Sequence, residues 1–311
     1  MKLAIAILNY NSQQHTIELL QSIKAAKVPQ DLKIEIAVVD NNSKDTKLGS
    51  VVRGKFPDSH FYQTGENLGF AAGMNYAVEK LSAFKPTHYL LLNPDLIIPQ
   101  DFFINLTQSA IKDPKVGLVS PLIYFTKGYE YEEGYSEDQL GKVIWSAGGN
   151  FDWDNILGSN AHVNEVDKGQ FKKLQPTDFA TGACLLIKRQ VIDQIGLFDQ
   201  RYFMYLEDVD FSQRAKQAGW QVVFDPSIKL SHKVSQSSGI GSSLNDYFLT
   251  RNRLLFGFKF AKLRTKFALC REAVKKLFSG TPAQKLAVKD FFTLNLGPGS
   301  YFKKRSQLNE A

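Results

Sequence analysis

The sequence is poor in cysteine and in long apolar runs. Its 311 residues include only Cys184 and Cys270, whose unrelated contexts predict neither a disulfide framework nor a cysteine-rich metal cluster. We therefore expect a reducing compartment such as the cytoplasm. No stretch reaches the roughly 18 uninterrupted apolar residues of a membrane-spanning helix. The apolar run after Met1 is too short for the core of a signal peptide, which predicts that no leader is cleaved.

Two common nucleotide-binding fingerprints are also missing. The stretch "GENLGFAAGMN" contains Gly65, Gly69 and Gly73 but lacks the Lys-Ser/Thr pair of a P-loop. A dinucleotide fingerprint should follow the first strand, where this chain has "NYNS" instead. These absences count against NAD-linked and ATP-linked enzymes.

The charge is distributed unevenly along the chain. Residues 251–311 contain 14 Lys and Arg against three Asp and Glu, whereas residues 1–250 contain 24 against 28. A segment so basic binds anions, such as lipid headgroups, nucleic acid or phosphorylated substrates. No base-reading motif accompanies the charge, so we expect no nucleic acid partner. Its mixture of Phe and Leu with Lys and Arg favours a helical region, 245–311, lying at a membrane surface, and covering of the catalytic domain is the alternative.

The order of the elements predicts an α/β fold. "KLAIAIL" and "KIEIAVVD" are strands separated by the helical "HTIELLQSIKAA", which predicts a mostly parallel sheet flanked by helices. Residues 126–176 have weak periodicity and are interpreted as an insertion or a pair of hairpins. The small, polar "SQSSGIGSS" predicts a boundary near residues 235–245, which divides a catalytic domain, 1–240, from a basic helical region, 241–311.

Polar residues stand where several predicted strands end. Ligands of open parallel sheets bind at the carboxyl ends of the strands, so side chains from distant segments should converge there. The residues at those ends are Asn9, Asn11, Asp40, Asn67, Asn93 and Asp95. Their convergence predicts a ligand site at this edge.

The stretch "YLEDVDFSQRAKQAGW" directs a carboxylate along an apolar face. Phe211, Ala215 and Ala218 follow helical spacing, and one turn before Phe211 the same face carries Asp208. A carboxylate in the first helical turn is favoured as the anion and can act as a general base. A helix cap is the alternative, although it leaves the preceding Glu207 unexplained. We expect Asp210 and Arg214 to form an i, i+4 surface pair.

Asp95 and His232 could hold a divalent cation. Asp95 follows the buried "YLLLNP", and Mg²⁺ or Mn²⁺ prefers oxygen ligands that include phosphate. His232 ends another predicted strand. A turn cap for Asp95 and a structural histidine are the alternatives.

These motifs together resemble the family 2 glycosyltransferases, which have the GT-A fold, and most closely the rhamnosyltransferase-like branch. The resemblance rests on "ILNYNS", "VVDNNSKD", "ENLGFAAGMN", "LLLNPD", "TGACLLIKR", "FDQRYFMYLEDVDFSQRAKQAGW" and "SHKVSQSSG". They occur in the family's order over residues 3 to about 255. Each motif is weak alone, whereas the ordered set is specific.

The resemblance assigns roles to the candidate residues. Eight would bind a nucleotide-sugar donor: Asn9, Asn11, Asp40, Asn67, Gly69, Asn75, Asn93 and Asp95. Asp95 and His232 would be the metal ligands, for Mg²⁺ or Mn²⁺. Asp208 would be the catalytic base, Glu207 would support it or contact the acceptor, and Gly182 would border the acceptor. Asn93 occupies the first acidic position of the family's Asp-x-Asp motif, which implies weaker dependence on metal.

The implied activity is inverting transfer of a sugar from dTDP-rhamnose or a UDP-hexose. The acceptor would be a hydroxyl of a glycan or lipid-linked glycan, in bacterial cell-surface polysaccharide synthesis at the inner face of the cell membrane. Two alternatives remain, a sugar nucleotidyltransferase and a non-catalytic glycan-binding module.

Overall fold

The first part of the chain alternates strands and helices. The computed structural model describes residues 1–110, 113–234 and 242–303. The first elements are β1 (Lys2–Asn9), α1 (Gln13–Ala25), β2 (Lys33–Asp40), α2 (Leu48–Lys55), β3 (Ser59–Gln63), α3 (Gly69–Lys80) and β4 (His88–Leu92). Pairing of β1 with β2 and β4, and of β2 with β3, is parallel, so these strands end at one edge of the sheet.

The second part of the chain turns this sheet into a mixed one. Its elements are β5 (Leu96–Ile97), α4 (Phe102–Ala110), β6 (Val116–Phe125), β7 (Ile144–Ala147), β8 (Gly149–Asp152), β9 (Leu157–Asn160), β10 (Gln175–Pro176), β11 (Cys184–Lys188), α5 (Arg189–Ile195), α6 (Glu207–Gln217) and β12 (Gln221–His232). The strand order is β10-β12-β6-β11-β4-β1-β2-β3. Strand β11 runs antiparallel to β4 and β6, whereas β12 is parallel to β6.

The α/β prediction is confirmed, with fewer parallel pairings than expected. Within the described ranges the main sheet has four parallel and five antiparallel strand pairings. Antiparallel strands can follow hairpins, whereas parallel strands need a longer crossover. The segment predicted as hairpins, 126–176, contains the β8–β9 hairpin and β7, which pairs with β6.

Both faces of the central strands are covered by helices. On β1, Leu3, Ile5 and Ile7 face one core, which also contains buried side chains of α1, α2 and α4. The alternate residues of β1 face a second core, built with α3, α5 and α6. Burial on both faces explains why β1 is an almost continuous apolar run.

Three helices follow the sheet and pack on the α6 side of the molecule. They are α7 (Ser243–Phe260), α8 (Leu263–Ser279) and α9 (Pro282–Phe292). The rings of Phe203 and Phe248 stack with centroids 5.0 Å apart, and one apolar cluster contains Leu206 and Val209 together with Leu254 of α7. The proposed boundary near 235–245 falls largely on residues 235–241, and the end of the basic region on residues 304–311, all outside the described residues. Among the described helices, none combines the length and apolar character needed to cross a membrane.

Candidate active site

Asn9 and Asp40 form a buried polar pair at the ends of β1 and β2. They are register partners, and Asn9 Nδ2 donates a 2.7 Å hydrogen bond to Asp40 Oδ1. Thr16 Oγ1 donates to Asn9 Oδ1 across 2.8 Å, and the Ser43 amide donates to Asp40 Oδ2 across 3.1 Å. These bonds offset the cost of burying the carboxylate and fix its orientation. The pair is therefore a rigid, hydrogen-bonded part of the edge where β1 and β2 end.

Asn11 connects the loop after β1 to the loop after β2. Its backbone has φ 52°, a left-handed conformation that asparagine tolerates better than most residues. The backbone amide of Asn11 donates to Ser43 Oγ across 2.8 Å. Its side-chain Oδ1 accepts from the backbone amide of Lys44 across 2.9 Å. The side chain remains exposed at the same edge as the Asn9–Asp40 pair.

Asn41, which was not predicted from the sequence, organises the loop before α3. Asn41 is buried, and its Nδ2 donates to Asn67 Oδ1 across 3.0 Å and to the Gly69 carbonyl across 3.1 Å. Its Oδ1 accepts from the Leu68 amide across 3.0 Å. The signal was available, since "VVDNNS" places an amide side chain directly after Asp40. Asn67 Oδ1 also accepts from the Gly69 amide across 2.9 Å, so Asn67 is held next to the first two strands both by Asn41 and by its own loop.

Gly69 begins α3 where the chain leaves no room for a side chain. Its φ is +77°, and a Cβ there would lie 2.5 Å from the ring and 2.6 Å from the carbonyl oxygen of Phe203. The start of α3 is therefore in contact with the segment that leads to α6. Asn75, two turns further along α3, is not brought to this edge. Its amide exchanges hydrogen bonds of 2.8 and 3.1 Å with the backbone of Phe198.

Asp95 and His232 are brought together by the pairing of β5 with β12. His232 is the register partner of Leu96, and His232 Nε2 lies 2.9 Å from Asp95 Oδ1. Both side chains are buried. Trp145 of β7 packs edge-on against the His232 ring at 4.4 Å, so the 126–176 insertion does reach this position. The backbone amide of Asn93, at the end of β4, donates a hydrogen bond to the Ala183 carbonyl across 2.8 Å.

The Asp95–His232 pair fits a shared divalent cation. Two ligands bound at about 2.1 Å and at a right angle lie about 3.0 Å apart, which matches their separation. His232 Nδ1 is buried without a hydrogen-bond partner, so Nε2 carries the ring's polar contact. Within the described ranges, no group of three or more His, Cys, Asp or Glu side chains could hold a metal alone. Phosphate and water would have to complete the shell, as they commonly do for Mg²⁺.

Asp208 occupies the first turn of α6 and faces the chain before β11. Its Oδ2 accepts from the Gly182 amide and its Oδ1 from the Val209 amide, each across 2.8 Å. Burial raises the pKa of Asp208, and these amide bonds limit the rise. Glu207 is buried, and its Oε2 has no hydrogen-bond partner. Burial and the neighbouring Asp208 raise the Glu207 pKa well above its usual range.

The expectation for Asp210 and Arg214 was wrong about their environment. The i, i+4 bond exists, with Arg214 Nε 2.6 Å from Asp210 Oδ2, but Asp210 is completely buried. Lys259 Nζ of α7 lies 2.5 Å from Asp210 Oδ1, and the Tyr202 hydroxyl donates to the same oxygen across 3.1 Å. Helix α7 covers the face that the spacing alone suggested was solvent-exposed.

Most of the predicted residues therefore meet at two neighbouring positions of the fold. The loops after β1 and β2, with Asn67 and Gly69, form the first. The second lies where β4 ends beside β11: Asp95, after β4, bonds to His232, and Gly182, before β11, bonds to Asp208. Such an edge can hold a phosphate-bearing nucleotide and a base within one site.

Comparison with solved structures defines the class of the fold. The chain resembles the mannosyltransferase PcManGT from Pyrobaculum calidifontis, solved with GDP-Man and Mn²⁺, at a TM-score of 0.55 and 16% identity, covering 98% of this chain and 79% of that one. It also resembles GalNAc-T7, solved with UDP, GalNAc and Mn²⁺, at a TM-score of 0.57 and 16% identity, covering 91% and 59%. The protein thus has the GT-A fold of glycosyltransferases.

Sequence comparison then gives the family. The profile described as "Glycosyltransferase like family 2" matches residues 2–253, and the chain belongs to that family. It is 27% identical over 249 residues to N-acetylglucosaminyl-diphospho-decaprenol L-rhamnosyltransferase of Mycobacterium tuberculosis strain H37Rv, covering 76% of this chain and 78% of that protein. It is 26% identical over 232 residues to rhamnosyltransferase WbbL of Escherichia coli K12, covering 73% and 82%. The rhamnosyltransferase-like resemblance is confirmed.

Proposed function

We propose that this glycosyltransferase is an inverting enzyme in which Asp208 is the catalytic base. The observation that carries the proposal is the position of the Asp208 carboxylate, half-buried at the start of α6 and oriented by the Gly182 amide. A base needs a fixed direction and a pKa near the working pH, and both hydrogen bonding and burial act on this group.

The reaction follows from one proton transfer and one displacement. The acceptor hydroxyl would lose its proton to Asp208 while its oxygen attacks the anomeric carbon from the face opposite the nucleoside diphosphate. The bond from that carbon to the diphosphate oxygen breaks, and the diphosphate leaves with the bonding electrons. One displacement inverts the anomeric configuration. Burial and the neighbouring Asp208 raise the pKa of Glu207, which favours its protonated form, and Glu207 would support Asp208 or contact the acceptor.

The donor would lie along the edge formed by β1, β2 and β4. Asn9, Asn11 and Asp40 would bind the nucleobase and ribose, beside Asn67. Asp95 and His232 would hold Mg²⁺ or Mn²⁺ at the diphosphate. Such an ion supplies positive charge to the leaving oxygen. Asn93 can still bond to a ribose hydroxyl, so we expect partial rather than complete dependence on metal.

The identity of the sugar and of the acceptor is proposed from the relatives. Two of these relatives are rhamnosyltransferases, and one of the two is named as an N-acetylglucosaminyl-diphospho-decaprenol L-rhamnosyltransferase. We therefore favour dTDP-rhamnose over a UDP-hexose, and a lipid-linked glycan over a free glycan. This assignment implies cell-surface polysaccharide synthesis at the cytoplasmic face of the membrane.

Helix α8 supports contact with an anionic membrane. Four exposed apolar residues share one stripe of the helix: Leu263, Phe267, Val274 and Phe278. Phe267 and Phe278 are 74% and 81% exposed. A parallel row of exposed basic residues follows it at Arg264, Arg271 and Lys275. An apolar stripe beside a cationic row matches acyl chains beside anionic headgroups, so we propose this face as the peripheral membrane contact of the predicted 245–311 region.

A transfer assay with a panel of nucleotide-sugars tests the activity. The chain is incubated with dTDP-rhamnose, UDP-glucose, UDP-galactose or UDP-N-acetylglucosamine, with Mn²⁺ or with EDTA, and release of nucleoside diphosphate is measured. Release from one donor, enhanced by a lipid-linked acceptor, supports the proposal. Formation of pyrophosphate from a sugar phosphate and a nucleoside triphosphate would instead indicate a nucleotidyltransferase. Glycan binding without turnover of any donor would indicate a binding module.

A further inference from the structure

Helix α7 carries two polar side chains that are completely buried. Arg251 and Asn252 lie side by side in "LTRNRLL", and each is 0% exposed. A buried guanidinium is costly unless its donors are paired. Burial lowers the pKa of Arg251, yet the group stays charged because guanidinium remains protonated in proteins. Neither residue belongs to the donor or base positions described above.

Both side chains donate to the backbone of residues 201–205, and Arg251 Nη1 also donates to the Gly297 carbonyl across 2.6 Å. Asn252 Nδ2 lies 2.9 Å from the Tyr202 carbonyl, 2.7 Å from that of Met204 and 2.9 Å from that of Tyr205. Arg251 Nη2 donates to the Tyr202 carbonyl across 2.9 Å. It also donates to Asn252 Oδ1 across 3.1 Å, which fixes the orientation of the Asn252 amide.

The segment held in this way has a strained backbone. Phe203, Tyr205 and Leu206 have φ of 65°, 69° and 69°, in the left-handed region that bulky residues rarely adopt. Such conformations cost about 1–3 kcal/mol each and persist only where the surroundings impose them. The next residues along the chain are Glu207 and Asp208, so the strained backbone sets where α6 begins.

The other side of the same segment contacts the first turn of α3, beside the proposed nucleotide-sugar site. The Phe203 carbonyl accepts a hydrogen bond from the Ala71 amide across 3.1 Å, and Gly69 packs directly against its ring. The segment therefore connects the first turn of α3 with the first turn of α6. A shift of this backbone would change the distance from the donor to the Asp208 carboxylate.

We propose that Arg251 and Asn252 are positioning residues for the catalytic base, acting through residues 202–206. This inference rests on the proposed role of Asp208, and it makes α7 a part of the active site. The family match ends at residue 253, directly after this pair. The two side chains do not touch substrate. Their N–H groups hold the strained segment in one conformation. In that conformation Asp208 is directed toward the nucleotide-sugar.

The test uses Asn252→Ala and Arg251→Lys in the full-length chain, with Arg253→Ala as the matched control. Arg253 lies on the same helix, pairs with Glu272 at 2.8 Å and donates to the Asn155 carbonyl, so it does not hold the segment. Thermal unfolding first sets a temperature at which every variant is folded, and all kinetics are measured there. Donor affinity, kcat and the pH dependence of kcat are then compared.

We expect Asn252→Ala to lower kcat by about 10- to 100-fold, because small displacements of catalytic groups cost that much. Donor affinity should stay within twofold, and the acidic limb of the pH profile should move as Asp208 loses its fixed bond to Gly182. Arg251→Lys should show the same pattern more weakly, and Arg253→Ala should not. Folded variants with unchanged kcat and pH profile would overturn the proposal. Unimpaired turnover by Asp208→Asn would instead reject the proposed base itself.

Discussion

The Gly182 amide donates a 2.8 Å hydrogen bond to Asp208 Oδ2, joining two residues that are 26 positions apart in the chain. Gly182 lies just before β11, and Asp208 lies in the first turn of α6. A Cβ on Gly182 would lie 3.2 Å from the Phe70 ring, so a side chain of α3 packs close to Gly182 as well. This bond fixes the direction of the carboxylate relative to the donor edge.

Replacing Asp208 by Asn should separate chemistry from binding. The amide keeps the shape of the side chain but cannot accept the hydroxyl proton, so we expect kcat to fall by about 10²- to 10⁴-fold. Donor affinity, measured by titration calorimetry, should change by less than twofold. Asp193→Asn, at an exposed carboxylate of α5 paired with Arg189, is the control and should leave turnover unchanged. A nearly normal rate for Asp208→Asn would reject the assignment.

Glu207 should make the stability of the fold depend on pH. Its raised pKa means that the folded chain retains a proton that the unfolded chain releases above its ordinary pKa of about 4.3. Stability should therefore fall as the pH rises from that value through the raised folded-state pKa. Glu207→Gln removes this loss, so the variant should melt above the wild type at pH 8 but close to it at pH 4. A melting difference that does not vary with pH would contradict this.

Removing the Asp95 carboxylate should reduce the gain in nucleotide affinity that metal gives, without abolishing nucleotide binding. Mn²⁺ should increase the affinity for nucleoside diphosphate, and we expect this increase to be about tenfold or more smaller in Asp95→Asn. The reason is that one of the two protein ligands then binds the metal more weakly. Binding in EDTA should be unaffected, since the base and ribose contacts remain. Asp101→Asn, at an exposed carboxylate nearby in the chain, serves as the control. An equal Mn²⁺ response in the wild type and Asp95→Asn would reject the metal site.

The α8 stripe should determine attachment to anionic vesicles. Flotation with vesicles containing phosphatidylglycerol is compared for the wild type and a double variant, Phe267→Ser with Phe278→Ser. We expect the variant to stay in the unbound fraction, and the wild type to detach at high salt, because both apolar insertion and charge contribute. Tyr129→Ser with Tyr131→Ser, at exposed aromatic residues elsewhere, should float like the wild type. If both double variants float equally well, the α8 stripe does not determine attachment to the vesicles.

The residues at strand ends could be found from the sequence because parallel strands give them a common destination. Asn9 and Asp40, and Asp95 and His232, were predicted to meet and do lie in contact. Their functional roles remain predictions. Asn75 was assigned to the donor site by the family resemblance alone, and its amide bonds instead to the Phe198 backbone.

Contacts made by α7 could not be predicted in the same way. An i, i+4 spacing is the same on a buried face as on an exposed one, so Asp210 and Arg214 gave no sign that Lys259 would cover them. The basic composition of the region suggested a surface, whereas Arg251 is completely buried. Its partners are backbone carbonyls, which leave no trace in the side-chain pattern.

The buried pair on α7 also bears on the order in which the enzyme becomes competent during its synthesis. Residues 251 and 252 leave the ribosome some 50 positions after the strained segment that they hold. Folding can begin while the chain emerges from its N-terminus, so the strands and the loops after β1 and β2 can assemble first. On the proposed mechanism such a nascent chain could take up a sugar nucleotide without having a directed base to consume it. Late arrival of this helix would thus delay turnover until residues 251 and 252 have emerged and packed against the strained segment.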